Sequence, residues 1–215
     1  MLKTSSILAA FLLVANLSAA KGQEHSVELI DAAPDADEVS EELTSQFADN
    51  GIRIKRSSSR TVCEVWFCKQ WPVEAGFKAT EDRLYPFAPG QLIGLLHFSR
   101  RGKDFRDQSV SSGWYTLRFG LQPIDGNHEG TSPTRDFLVM VVWEAKELME
   151  MSAEAAGSTH PAMMCLQRAT DGSELAVRHN ESHDWWILHT VGKGTADNKT
   201  HDVPLDLVVA GHATE

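Results

Sequence analysis

Basic residues are missing where acidic ones are densest. Between Gly22 and Ile52 there is no Lys or Arg, while Glu24, Glu28, Asp31, Asp35, Asp37, Glu38, Glu41, Glu42 and Asp49 all fall there. From Arg53 onward the charges nearly balance, so the formal charge of −10 is largely an N-terminal property. That acidity argues against general affinity for nucleic acid or an anionic membrane, whose phosphates it repels. With 15 Gly and 8 Pro the 215-residue chain has too little of either for a fibrous or low-complexity protein. No internal repeat is visible. HExxH, GxSxG, GxxxxGK[ST] and GxGxxG are all absent, which removes the commonest metalloprotease, α/β-hydrolase and nucleotide-binding signatures.

Cysteine is scarce too. Cys63, Cys68 and Cys165 form no CxxC, so zinc-knuckle and thioredoxin-like readings fall away. Cys63 and Cys68 lie five apart in a strand-like run and point to opposite faces, which disfavours a bond between them. Cys63–Cys165 and Cys68–Cys165 are the candidate disulfides, and three reduced apolar fillers are the alternative.

Long apolar runs are confined to the start. Lys3 followed by Ile7–Leu17 and Ser18-Ala19-Ala20 has the charged, apolar and small-residue regions of a secretory signal. Eleven apolar residues fall short of the roughly 20 that span a bilayer as a helix. The expectation is export, periplasmic or extracellular, after cleavage near Ala20, with no transmembrane segment in the mature chain.

After this leader, residues 21–35 read as polar, acidic and poorly ordered. A short helix follows, with Asp35 as N-cap, Glu38 at capping-box spacing, Val39, Leu43 and Phe47 as its apolar stripe, and Asn50-Gly51 as its stop. From Ile52 the period becomes two. Ile52–Arg56 and Thr61–Lys69 suggest a hairpin turning at Ser57-Ser58-Ser59. Gln91–Phe98, Trp114–Gly120, Phe137–Trp143, Met163–Arg168, Glu174–His179, Trp185–Val191 and Val203–Ala210 follow as strands. Ser99–Gly113 reads as a charged loop anchored by Phe105 and Val110, and Glu144–Ala156 as a second helix stopped by Gly157. Many short strands with two modest helices predict a mostly β, antiparallel β-sandwich or open barrel over residues 52–211.

Chemistry concentrates in the loop Gln122–Asp136, which gathers Asp125, Asn127, His128, Glu129, Arg135 and Asp136 between two strong strands. Alternating carboxylate and amide oxygens suit a hard cation, and His128 adds a borderline-metal ligand, so Asp125, His128 and Glu129 are a candidate metal set. Arg118, on the preceding strand, is placed to orient the loop. The alternative is a turn network in which Arg135 pairs with Asp125 or Asp136. A second cluster, Arg178–Asp184, places His179 and His183 on either side of a hairpin turn, as exposed turn residues or as a two-ligand metal site. Trp71, Trp114, Trp185 and Trp186 are candidates for carbohydrate stacking or for the core.

Gly113-Trp114-Tyr115-Thr116-Leu117-Arg118-Phe119, then Asp125-Gly126-Asn127-His128, then Arg135-Asp136-Phe137 resemble the G-x-Y-T-L-R-[FY], D-G-[ND]-H-x-G and R-D-F-L blocks of an uncharacterised family of exported, planctomycete-type bacterial proteins. Tyr85-Pro86-Phe87, Pro89-Gly90-Gln91-Leu92 and Asp104-Phe105-Arg106 fit further blocks, and the resemblance covers about Thr61–Val142. It implies export and a β-sandwich. Three functions are consistent with the sequence. The first is a ligand-binding module using the 122–136 loop, with a small molecule, glycan or envelope protein as partner. The second is a metal-assisted hydrolase with a divalent ion held by His128 and nearby carboxylates, although no cofactor is required by the sequence. The third is a structural envelope component.

Overall fold

Two-residue alternation governs almost everything the computed structural model describes, namely residues 24–35, 39–123, 133–142, 162–172 and 174–213. The strands are β1 (His25–Ile30), β2 (Gly51–Arg56), β3 (Arg60–Phe67), β4 (Trp71–Pro72), β5 (Leu92–Phe98), β6 (Gly102–Lys103), β7 (Ser109–Val110), β8 (Gly113–Leu121), β9 (Asp136–Val142), β10 (Met163–Gln167), β11 (Ala176–Asn180), β12 (Trp185–Ala196) and β13 (Lys199–Ala210). One turn of helix, α1 (Glu41–Thr44), lies between β1 and β2.

The main sheet runs β1-β2-β3-β5-β8-β9-β10-β13-β12-β11, with every neighbour antiparallel and β4 added parallel to β12. Its two end strands, β1 and β11, come back beside each other. The sheet is therefore a nearly closed barrel, the open-barrel form of the expected all-β fold. Val27 of β1 and Val177 of β11 both pack on the main core near this seam. Trp186 bridges the seam, with the His25 ring centroid at 4.6 Å and the His179 ring centroid at 4.5 Å.

Inward positions of successive strands fill the barrel: Ile54, Val65, Leu96, Leu117, Leu138, Leu166, Leu188 and Leu207 are all buried there. The end where β3 finishes and β5 begins is plugged by the segment after β4. Trp71 and Phe87 meet edge-on at 5.3 Å, Tyr85 stacks on Phe87 at 5.7 Å, and Phe119 closes the group at 5.6 Å from Phe87. Trp71 reaches this place because Gly192 has no side chain: a Cβ there would lie 2.2 Å from the indole. A smaller cluster of Phe105, Cys165, Trp185, Ile187 and Val208 covers the outer face of β10, β12 and β13.

Several expectations change. Residues 21–35 were expected to be poorly ordered, yet His25–Ile30 is a full strand, in register from His25↔Arg56 to Ile30↔Gly51. Its acids are not a solvated surface charge alone, because Glu28 pairs with Arg53 and Lys55 across the ladder. The helix is shorter than predicted and is capped by Ser40, not Asp35. Thr44 and Ser45 hydroxyls donate to the Glu41 and Glu42 carbonyls, and Phe47 leaves the helix to bridge Cys68. The three apolar positions Val39, Leu43 and Phe47 are nevertheless buried, as are the loop anchors Phe105 and Val110. All three cysteines are buried and free, so neither candidate disulfide forms. The signal segment and the helix expected at 144–156 lie outside the described residues. No helix among the described residues is long and apolar enough to cross a membrane.

Candidate functional site

Of the residues singled out in the 122–136 loop, Asp125, Asn127, His128 and Glu129 lie outside the described residues. The three that flank them are engaged in holding the barrel's plugged end together. Gln122 N–H donates to the Arg135 carbonyl at 2.8 Å, and the Arg135 side chain donates to the Gln122 and Asp82 carbonyls at 2.8 and 3.1 Å. Of the two alternative acid partners, Asp125 lies outside the described residues and Asp136 forms no ion pair with Arg135, whose nearest recorded carboxylate is Asp82 at 3.9 Å. Asp136 is fully buried and accepts from the Leu84 and Tyr85 amides at 3.0–3.1 Å. Burial pushes its carboxyl above the usual range, partly offset by those amides. Arg118 donates to the Gly90 carbonyl at 3.0 Å, pinning the Pro89-Gly90 turn, and burial lowers its pKa. Each of the three is bound to backbone from a distant loop.

The histidine pair is also redirected. His183 stacks on Trp185 at 4.3 Å and His179 on Trp186 at 4.5 Å. Consecutive strand residues face opposite sides, so the two imidazoles are separated by the sheet and do not share a ligand. His179 Nε2 lies 2.8 Å from Asp184. Among the described residues no three His, Cys, Asp or Glu side chains gather as a metal site. The tryptophans named for stacking have their rings covered. Trp71 is in the core, Trp114 lies against His97 and Trp66, Trp185 lies between Phe105 and His183, and Trp186 carries His25 and His179.

A buried polar cluster sits on the outer face near β11–β13. The Asp206 carboxylate, fully buried, receives Arg178 Nη2, Thr170 N–H and Thr170 O–H, and lies against His189 Nδ1. The grouping invites comparison with a hydroxyl–imidazole–carboxylate triad, but the geometry is wrong. Thr170 Oγ1 and Asp206 Oδ1 both face Nδ1 of His189, at 3.3 and 2.5 Å, so the ring has no second nitrogen between them to relay a proton. The cluster ties the 168–172 loop to the sheet.

The open site lies at the other end of the barrel. Here the start of β1, the β2–β3 turn, the segment after β5, the β11–β12 turn and the exit of β13 enclose a cavity of about 830 Å³. Its inner wall includes Val62, Phe98, Met164 and Val209, and its rim Arg56, Arg60, Arg100, Arg101 and Lys103. One wall is built by Asp104, whose carboxylate accepts the Arg106, Gln108 and Met163 amides at 2.9, 2.8 and 3.3 Å. That turn seats Phe105 against Trp185 and holds the β6–β7 ladder over the mouth. Lys103 holds the Asp107 carboxyl below its ordinary value through a direct hydrogen bond.

Sequence reasoning did not single out this mouth. The signal was present in Arg56-Ser57-Ser58-Ser59-Arg60 and Ser99-Arg100-Arg101-Gly102-Lys103. In an antiparallel run β2–β3–β5, both segments emerge at the same end.

Fold and site define the molecule as a nearly closed antiparallel β-barrel with one end plugged by aromatic side chains and the other open and rimmed with arginine. Comparison with protein-family models, with curated proteins and with solved structures returns no match for this chain.

Proposed function

We propose that this protein is an exported binding module that takes a small ligand into the open end of its barrel. The observation that carries the reading is the difference in lining between the two ends: Trp71, Tyr85 and Phe87 fill the barrel at one, leaving a more open groove of about 890 Å³ outside Leu84–Pro86, while at the other a cavity of about 830 Å³ is rimmed by Arg56, Arg60, Arg100, Arg101 and Lys103. That volume falls in the range of small-molecule sites, and barrel mouths are among the places where such sites form. The site is described by the walls of the mouth, in place of the 122–136 loop, whose flanking strand ends belong to the plugged end.

Amide chemical shifts of the protein, recorded against a library of small polar metabolites, test it. Ligands should perturb Thr61, Val62, Val209 and Ala210 together. A library in which every hit maps to the plugged end, or in which none perturbs those four, refutes it.

A further inference from the structure

We infer that the ligand of this mouth is a small multivalent oxyanion, carrying two or more phosphate, sulfate or carboxylate groups, gripped by Arg56, Arg60, Arg100 and Arg101. The inference rests on the reading of the open end as a ligand site and adds the ligand's chemistry.

Three observations converge on it. The first is charge without a partner. Among the described residues, none of these four guanidinium groups has an ion pair or hydrogen bond. The nearby acids are otherwise engaged: Asp104 with Arg106 and backbone amides, Asp107 with Lys103, and Asp184 with His179. Glu24 is the one remaining carboxylate on the wall. On a chain of net charge −10, such a mouth concentrates field lines and draws anions to one end.

The second is register. Arg56 and Arg60 are direct cross-strand partners at the β2–β3 turn. Like charges facing each other across a ladder are destabilising, and a bound anion removes that repulsion. β5 runs antiparallel to β3 and ends at Phe98, so Arg100 and Arg101 leave it at the end of the barrel where Arg60 begins β3, and all four arginines line the one cavity. Neighbouring strands lie about 4.8 Å apart, so the Arg56 and Arg60 stems rise side by side from adjacent strands, and Arg100 and Arg101 join the same opening from the segment after β5. Two arginine pairs suit two linked oxyanion groups, each able to accept paired N–H donors.

The third is the lack of free aromatic faces. Trp186 is flanked by His25 and His179, and Gly102 lies so close on Phe98 that a Cβ would sit 2.5 Å from the ring. Among the described residues no tryptophan, tyrosine or phenylalanine of the wall offers an uncovered face to a sugar or aromatic ring, which favours charge and hydrogen bonding as the means of recognition.

Titration calorimetry with pyrophosphate and with citrate, against orthophosphate and sucrose, tests the inference at low and moderate salt. Pyrophosphate or citrate should bind one to one, at least tenfold tighter than orthophosphate, and weaken as salt rises. Which of the two binds tighter reports whether phosphate or carboxylate is preferred. Arg56→Gln/Arg60→Gln and Arg100→Gln/Arg101→Gln should each weaken binding tenfold or more, while Lys199→Gln at the plugged end leaves it unchanged. The substituted side chains are exposed, and circular dichroism confirms that the variants fold. Silence with both multivalent anions, or binding indifferent to both double variants, overturns the inference. If neutral metabolites perturb the mouth amides while anions do not, the oxyanion class falls and the binding reading stands. If nothing perturbs them, both fall.

Discussion

Replacing Asp206 by Asn keeps the shape of a fully buried side chain and removes its charge. In the native protein the carboxylate accepts Arg178 Nη2 at 2.5 Å and Thr170 N–H and O–H at 3.2 and 3.3 Å, with His189 Nδ1 at 2.5 Å on its other oxygen. An amide has one acceptor oxygen. If it serves Arg178 and Thr170, the NH2 group faces His189; in the other orientation it faces a guanidinium. Hydrogen bonds to charged groups contribute about 1.5–3 kcal/mol each, and breaking a buried ion pair costs about 3–5 kcal/mol. Arg178 is 38% exposed, so water recovers part of that loss. Asp206→Asn should therefore destabilise by about 2–4 kcal/mol, a large share of the ~5–15 kcal/mol typical of a domain. Urea titration at pH 7 reads this as a lowered midpoint at unchanged slope, and calorimetry as a melting temperature about 4–16 °C lower. Pairing Asp206→Leu with Arg178→Met removes both charges and should be milder than the sum of the single changes. A loss under about 0.5 kcal/mol for Asp206→Asn, or strict additivity in the pair, would refute the view that this buried network is tightly coupled.

Glu64 sits in a cross-strand row, Glu28–Arg53–Glu64–His97–Trp114, and its hydrogen bond to His97 and its pairing with Arg53 lower its pKa from an ordinary 4.5. A depressed carboxylate stabilises above its unfolded value and loses that contribution as pH falls through the folded one. Glu64→Gln should thus cost about 0.5–1 kcal/mol at pH 7, with the gap to wild type closing below pH ~4.5; a gap that widens in acid contradicts the assignment. Burial pushes the Cys63 and Cys68 thiols up to about 12, so a thiol reagent should find no rapid reaction in the native protein and three thiols after unfolding. Fewer than three under non-reducing denaturation would mean a disulfide. Gly192→Ala forces Trp71 aside and should cost about 1–3 kcal/mol and change the near-ultraviolet circular dichroism; an unaltered spectrum and stability would show that the indole has other room.

Much of the barrel is legible in the sequence because inward residues alternate wherever one strand face is buried. Tyr115, Leu117 and Phe119 show this on β8, and Phe105 and Val110 stand out as the only apolar residues in a charged loop. β1 was hidden because its alternation is broken: Leu29 is exposed, and the acids nearby suggest a solvated tail until Arg53 and Lys55 are seen opposite Glu28. The partners of three candidate site residues were hidden for a related reason. Arg118, Arg135 and Asp136 have the residue types of a binding loop, yet their partners are Gly90, Asp82, Leu84 and Tyr85, brought near by the plug and invisible to local spacing. The arginine rim, by contrast, follows from antiparallel order once the strands are known to be sequential neighbours.

The seam sets an order on the assembly of this molecule. β1, the earliest in sequence of the described strands, zips onto β2 within a few dozen residues, but its other edge meets β11 and Trp186, about 160 residues later. Long-range closures of this kind come late, because the intervening chain must be gathered before the contact forms. The mouth shares that dependence, since Glu24, His25, Arg56 and Arg60 line one wall and His179, Trp186 and His212 another. A chain halted before Trp185 holds every arginine of the rim and yet no enclosed mouth, so the cavity comes into being only with the last strands of the barrel.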